Sequence, residues 1–100
     1  MNESLVKEMA GALISTGLRD LGFNYVHIDA GALTPTRGAG GELLENRTLF
    51  PSGMTALARW LHARELRLGV YTDIGNTSCG TGPGSYGHYE SDARTFARWE

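Results

Sequence analysis

Tyr71 and Asp73 close a short apolar run, Leu66-Arg67-Leu68-Gly69-Val70, and a glycine-rich loop holding the only cysteine, Cys79, follows at once. An aromatic hydroxyl and a carboxylate at the carboxyl end of a strand can hydrogen-bond a polar ligand, and α/β enzymes keep their chemistry at that edge. A further acid, Asp29, ends an earlier run of the same kind, Asn24-Tyr25-Val26-His27-Ile28. On spacing alone, forming a turn or capping a helix is the commoner role for such an acid. Gly80, Gly82 and Gly84 suggest a phosphate cradle, yet no Gly-Lys-Ser/Thr accompanies them. His27, His62 and His88 have no ligand-like spacing with one another or with Cys79, so no metal site and no cofactor are expected. A single cysteine makes no internal disulfide, which leaves Cys79 a free thiol or half of a bridge to sequence outside this chain. Asn2, Asn46 and Asn76 each open an Asn-x-Ser/Thr triplet, relevant only in a secretory pathway.

The elements that must position these groups alternate. Residues 3–21 carry Leu5, Met9 and Leu13 at four-residue spacing, joined by Leu18 and Leu21, which predicts an amphipathic helix stopped by Gly22. Residues 24–29 predict a strand, being rich in β-branched and aromatic types. Residues 30–50 hold four glycines and Pro35 in a loop longer than compact domains usually carry, suggesting a substrate-facing segment. Phe50-Pro51-Ser52 announces a second helix, with Ser52 as cap and Met54, Leu57, Ala58 and Leu61 as its buried stripe, ending near Arg64. Residues 67–72 predict a second strand. Ala93, Phe96 and Ala97 mark the apolar side of a third helix, still running at Glu100. Trp60 and Trp99 fall on helices and read as packing residues.

Helix, strand, helix, strand, helix is an α/β order that implies parallel strands covered by helices. Two parallel strands leave edges that need neighbours. The expectation is therefore a segment of a larger sheet, an α/β barrel or a doubly wound fold. Apolar residues make up 41% of the 100-residue chain and its net charge is -2, with nine scattered basic residues, so neither nucleic acid nor a membrane is an expected partner. No apolar run nears the roughly 20 residues that cross a bilayer, and residues 1–5 lack the pattern of a signal peptide.

Several motifs in one order resemble glycoside hydrolase family 27, the α-galactosidases or melibiases. They are Gly17-Leu18-Arg19-Asp20-Leu21-Gly22-Phe23-Asn24-Tyr25 with Ile28-Asp29, Phe50-Pro51-Ser52-Gly53-Met54, and Leu66-Arg67-Leu68-Gly69-Val70-Tyr71 with Asp73. Gly75-Asn76-Thr77-Ser78-Cys79, Pro83-Gly84-Ser85-Tyr86-Gly87 and Asp92-Ala93-Arg94-Thr95-Phe96-Ala97-Arg98-Trp99 continue the match. The resemblance implies that residues 1–100 are the N-terminal segment of a catalytic (β/α)8 barrel, a partial TIM barrel and an incomplete domain.

It implies a retaining glycosidase (EC 3.2.1.22) that hydrolyses terminal α-linked galactose in an oligosaccharide or glycoconjugate. Such enzymes use two carboxyl groups about 5 to 5.5 Å apart. In the family both follow the third helix, so this chain holds no catalytic residue and is expected to be inactive alone. By resemblance, Asp29 and Tyr71 bind substrate, and Cys79 is a disulfide half whose partner is absent. Asn76 becomes a glycosylation candidate, the compartment is secreted or lysosomal/vacuolar, and the full-length parent could be a homodimer. Where the family has Asp-Asp-Cys-Trp, this chain has Asp29-Ala30-Gly31-Ala32, which removes an acceptor for a sugar hydroxyl. Glu65 stands where the family ends a helix on glycine. Two other readings are a non-catalytic carbohydrate-binding remnant and a small stand-alone α/β interaction domain.

Overall fold

The computed structural model describes residues 1–29, 31–79 and 82–100. Helices α1 (Glu3–Ser15), α2 (Met54–His62) and α3 (Tyr89–Trp99) alternate with strands β1 (Tyr25–His27) and β2 (Arg67–Gly69) in the expected order. The strands are parallel, with Tyr25 opposite Arg67, Val26 opposite Leu68 and His27 opposite Gly69. Both are shorter than expected, although Arg67 N–H donates to Asn24 O at one end and Ile28 N–H to Gly69 O at the other.

Alternation along each strand decides which side is covered. Val26, Ile28 and Leu68 are buried beneath the helices, in one core with Val6 and Ala10 of α1, Met54, Leu57, Ala58 and Leu61 of α2, and Trp99 of α3. All of the helical cover therefore lies on one face. Tyr25 and His27 stack on the other face with ring centroids 5.5 Å apart, and the Arg67 guanidinium lies 5.8 Å from the Tyr25 ring. One-sided cover matches a barrel wall rather than a doubly wound sheet, which carries helices on both faces.

Expectations about each of the three helices are corrected. The first helix ends at Ser15, because the left-handed Gly17 (φ 78°) breaks it, and a separate 3-10 turn over Arg19–Leu21 follows. Its buried residues are Val6 and Ala10, whereas Leu5 and Met9 of the proposed stripe stand exposed beside Leu18 and Leu21. α1 has apolar residues on two faces, so spacing alone could not choose between them. Ser52 does not cap α2. Its hydroxyl donates to Glu3, while Glu45 reaches in from the long loop to accept from Met54 N–H at 2.5 Å, past Gly53 at φ 86°.

On α3 the buried residues are Asp92, Thr95 and Trp99, with Phe96 packed alongside, and Ala93 and Ala97 face outward. A charged residue occupies the inner face. Glu65 has φ 58°, the one positive value among the described non-glycine residues, as expected for a glycine position after α2. Trp60 lies partly buried under the Arg64 guanidinium, 3.6 Å from its ring centroid, and Trp99 packs in the core, so both are packing residues.

Candidate functional site

Asp29 and Tyr71 meet because of strand register. His27 and Gly69 are partners, and a step of two residues along each strand keeps the same face, so Asp29 comes to lie beside Tyr71 at the carboxyl end. The Tyr71 hydroxyl donates to Asp29 Oδ1. Both side chains are exposed. The bond to Asp29 is the main reason why the Tyr71 phenol titrates above the ordinary tyrosine value, with desolvation and the charges of Asp29, Cys79 and Asp73 adding to it.

A small recess opens beside this pair. Gly31, Ala32, Leu33, Ser78, Gly82 and Pro83 complete its lining, so the two long loops supply most of its rim and much of it is apolar. A wider cleft at the opposite end of the strands, lined by Asn24, Tyr25, His62, Glu65, Leu66, Arg67 and Glu100, contains none of the expected site residues. The loss of the family's second acid falls on Ala30, outside the described residues, as does Gly80 of the weak phosphate-cradle pattern.

The long loop of residues 30–50 is ordered by its own backbone. Thr34 N–H donates to Leu44 O, Asn46 N–H to Ala32 O and Gly38 N–H to Glu42 O, giving a hairpin-like excursion bridged at Leu33 and Glu45. The loop between β2 and α3 is tied to the strand end, where Ser85 N–H donates to Asp73 O and Gly84 N–H to Asn76 O. Gly84 has no room for a side chain, since a Cβ there would stand 2.0 Å from Gly75 O.

Sequence reasoning missed the side chains that join these loops. Arg37 donates through one nitrogen to Asp92 Oδ1 and through the other to Asp92 Oδ2, each at 2.7 Å, and also to the carbonyls of Gly41 and Gly84. Ser85 Oγ donates to Asp92 Oδ2 at 2.7 Å and pairs with Thr72 Oγ1. The Arg37 guanidinium holds the Asp92 carboxyl below the usual carboxylate range, against the opposing effect of burial and with help from Ser85. An arginine among glycines, Arg37 with Gly38, Gly40 and Gly41, is the available sequence signal. Nothing local names its partner 55 residues away.

Cys79 is a free, exposed cysteine on the loop that follows Tyr71. Of the three sequons, Asn2 caps α1 by accepting from Leu5 N–H, and Asn46 accepts from the backbone of Thr48 and Leu49. Asn76 is exposed on the site loop.

A family model described as Alpha galactosidase A matches residues 1–100. An alpha-galactosidase of Cyamopsis tetragonoloba is 46% identical over 100 residues, covering 99% of this chain and 24% of the relative. Alpha-galactosidase I of Mortierella vinacea superposes with a TM-score of 0.94 at 37% identity, covering 99% of this chain and 25% of that one. An alpha-galactosidase of Saccharomyces cerevisiae, solved with raffinose, superposes with a TM-score of 0.95 at 32% identity, over 100% of this chain and 22% of that one. The chain thus spans a quarter or less of the length of these relatives.

Proposed function

The chain belongs to the alpha galactosidase A family, and from that premise we propose that Asp29 and Tyr71 form one wall of the galactose pocket of a retaining α-galactosidase. The observation that carries this reading is the Tyr71–Asp29 hydrogen bond at the carboxyl ends of two adjacent parallel strands. A carboxylate offers charge-assisted acceptors to sugar hydroxyls, and a phenol offers both a ring face and a polar tip. Asp29 accepts from galactose while Tyr71 holds its orientation. Raffinose, present in the Saccharomyces cerevisiae structure, exemplifies the substrate class of α-galactoside oligosaccharides.

Residues 1–100 constitute the N-terminal segment of a (β/α)8 catalytic barrel on this reading. The open face carrying Tyr25, His27 and Arg67 would be its interior. Hydrolysis requires two carboxyl groups about 5 to 5.5 Å apart, one attacking the anomeric carbon and one acting as acid and then base. The family places both in sequence after α3, so the hundred residues bind and orient without performing the chemical step. A secreted or lysosomal/vacuolar compartment follows from the same reading, with Cys79 in a disulfide across the site, Asn76 glycosylated and the longer protein a homodimer.

One observation favours a second reading. The recess beside Asp29 is lined by Ala32, Leu33 and Pro83, where a galactose site calls for further acceptors, and this suits a non-catalytic carbohydrate-binding remnant. Hydrolysis of an aryl α-galactoside separates the readings. The purified hundred-residue chain is expected to give no turnover, while a polypeptide continuing through the later family carboxylates is expected to hydrolyse the substrate with retention. Turnover by the hundred residues alone would refute the assignment of the catalytic groups. Binding without turnover by the longer polypeptide would establish the remnant.

A further inference from the structure

The Arg37–Asp92 pair is nearly withdrawn from solvent, with side-chain exposures of 14% and 3%. Desolvating two charges offsets most of their attraction, so such a pair is a weak source of stability, and in several proteins its role is to specify one geometry among competitors. Here the geometry is bidentate and leaves little angular freedom. The same guanidinium also grips the Gly41 and Gly84 carbonyls, so a single side chain fastens the long loop, the site loop and α3 to one another.

The path from this pair toward the ligand edge is short. Asp92 accepts from Ser85, Ser85 pairs with Thr72, and Thr72 is the residue next to Tyr71. Ser85 N–H donates to Asp73 O, on the other side of Thr72. The backbone around Tyr71 is therefore held from one side by a chain that ends on a buried charge.

We propose that Arg37 and Asp92 are positioning residues for the Tyr71–Asp29 pair, acting through Ser85 and Thr72 on the strand end that carries Tyr71. Neither residue touches the ligand edge itself. The functional consequence rests on the reading of that edge as a sugar-binding wall, but the geometric consequence does not.

Tyrosine-ring NMR on the full chain, with the Tyr71 signal identified by its absence in Tyr71→Phe, tests this directly. In the parent the Tyr71 phenol is expected to titrate above an ordinary tyrosine. In Thr72→Val and in Arg37→Lys its titration is expected to shift down toward the ordinary value, with the thermal midpoint of Thr72→Val nearly unchanged. An unmoved Tyr71 titration in folded Thr72→Val would overturn the proposal even if Arg37→Lys failed to fold. Free galactose added to the parent checks the other reading separately. A Tyr71 signal that depends on Thr72 but ignores galactose would support the positioning role and count only against the sugar-binding wall.

Discussion

Arg37 on the long loop and Asp92 on the inner face of α3 meet through two hydrogen bonds of 2.7 Å each. Removing one partner leaves the other charged and largely buried, a change that costs about 3 kcal/mol in comparable pairs. Asp92→Asn is expected to lose about that much at pH 7. The sign of the pH dependence follows from the depressed pKa of the folded carboxyl. Its contribution is full above the ordinary value of 3.8 and is lost as pH falls through the lower folded value. Urea unfolding of parent and variant at pH 7 and near pH 3 should show the gap narrowing in acid, and an equal gap at both would contradict the assignment.

Glu65 holds a left-handed backbone at φ 58° with an exposed side chain. That conformation costs an L-residue about 1 kcal/mol or more, and glycine adopts it freely. Glu65→Gly is therefore expected to stabilise the chain by about 0.5 to 1 kcal/mol, read as a raised thermal midpoint. A lowered midpoint would show that the side chain makes a compensating contact.

Much of the fold was legible because periodicity and punctuation agree: the order of elements, the α2 stripe and the parallel pairing all follow from local pattern. The inner face of α1 was not legible, since Leu5 and Met9 offer as good a stripe as Val6 and Ala10, and only packing decides. Nor was the α2 cap, because Ser52 has the right type in the right place and Glu45 takes the bond instead. The Asp29 and Tyr71 positions came from motif resemblance, and their hydrogen bond follows from strand register. Asp92 resembles an ordinary acid in the first turn of a helix, so its long-range partner left no trace in composition or spacing.

Gly84 and Gly11 make opposite predictions for one chemical change. A methyl on Gly84 would meet Gly75 O at 2.0 Å, so Gly84→Ala must displace backbone in the site loop, with an expected loss of about 2 to 3 kcal/mol. Gly11 lies inside α1 with open space around its Cβ position, and Gly11→Ala is expected to gain about 0.5 to 1 kcal/mol. Chemical denaturation of the two variants measures both. Cys79 should also react faster with a thiol reagent in Gly84→Ala, since the loop that carries it would be released.

Tyr71→Phe removes the donor to Asp29 and keeps the ring. Because the folded phenol titrates above the ordinary value, its hydrogen bond contributes below about pH 10 and fades as pH rises through the folded value. In a polypeptide that extends through the catalytic carboxylates, Tyr71→Phe is expected to lower kcat/KM for an aryl α-galactoside about tenfold. On the galactose-wall reading proposed above, Asp29→Asn should cost more, because it removes the charge that accepts from Tyr71 and, on that reading, from the sugar. The two losses should add to less than their sum in the double variant, since either change alone already breaks the shared bond. Full additivity would mean that Tyr71 and Asp29 act on the ligand independently.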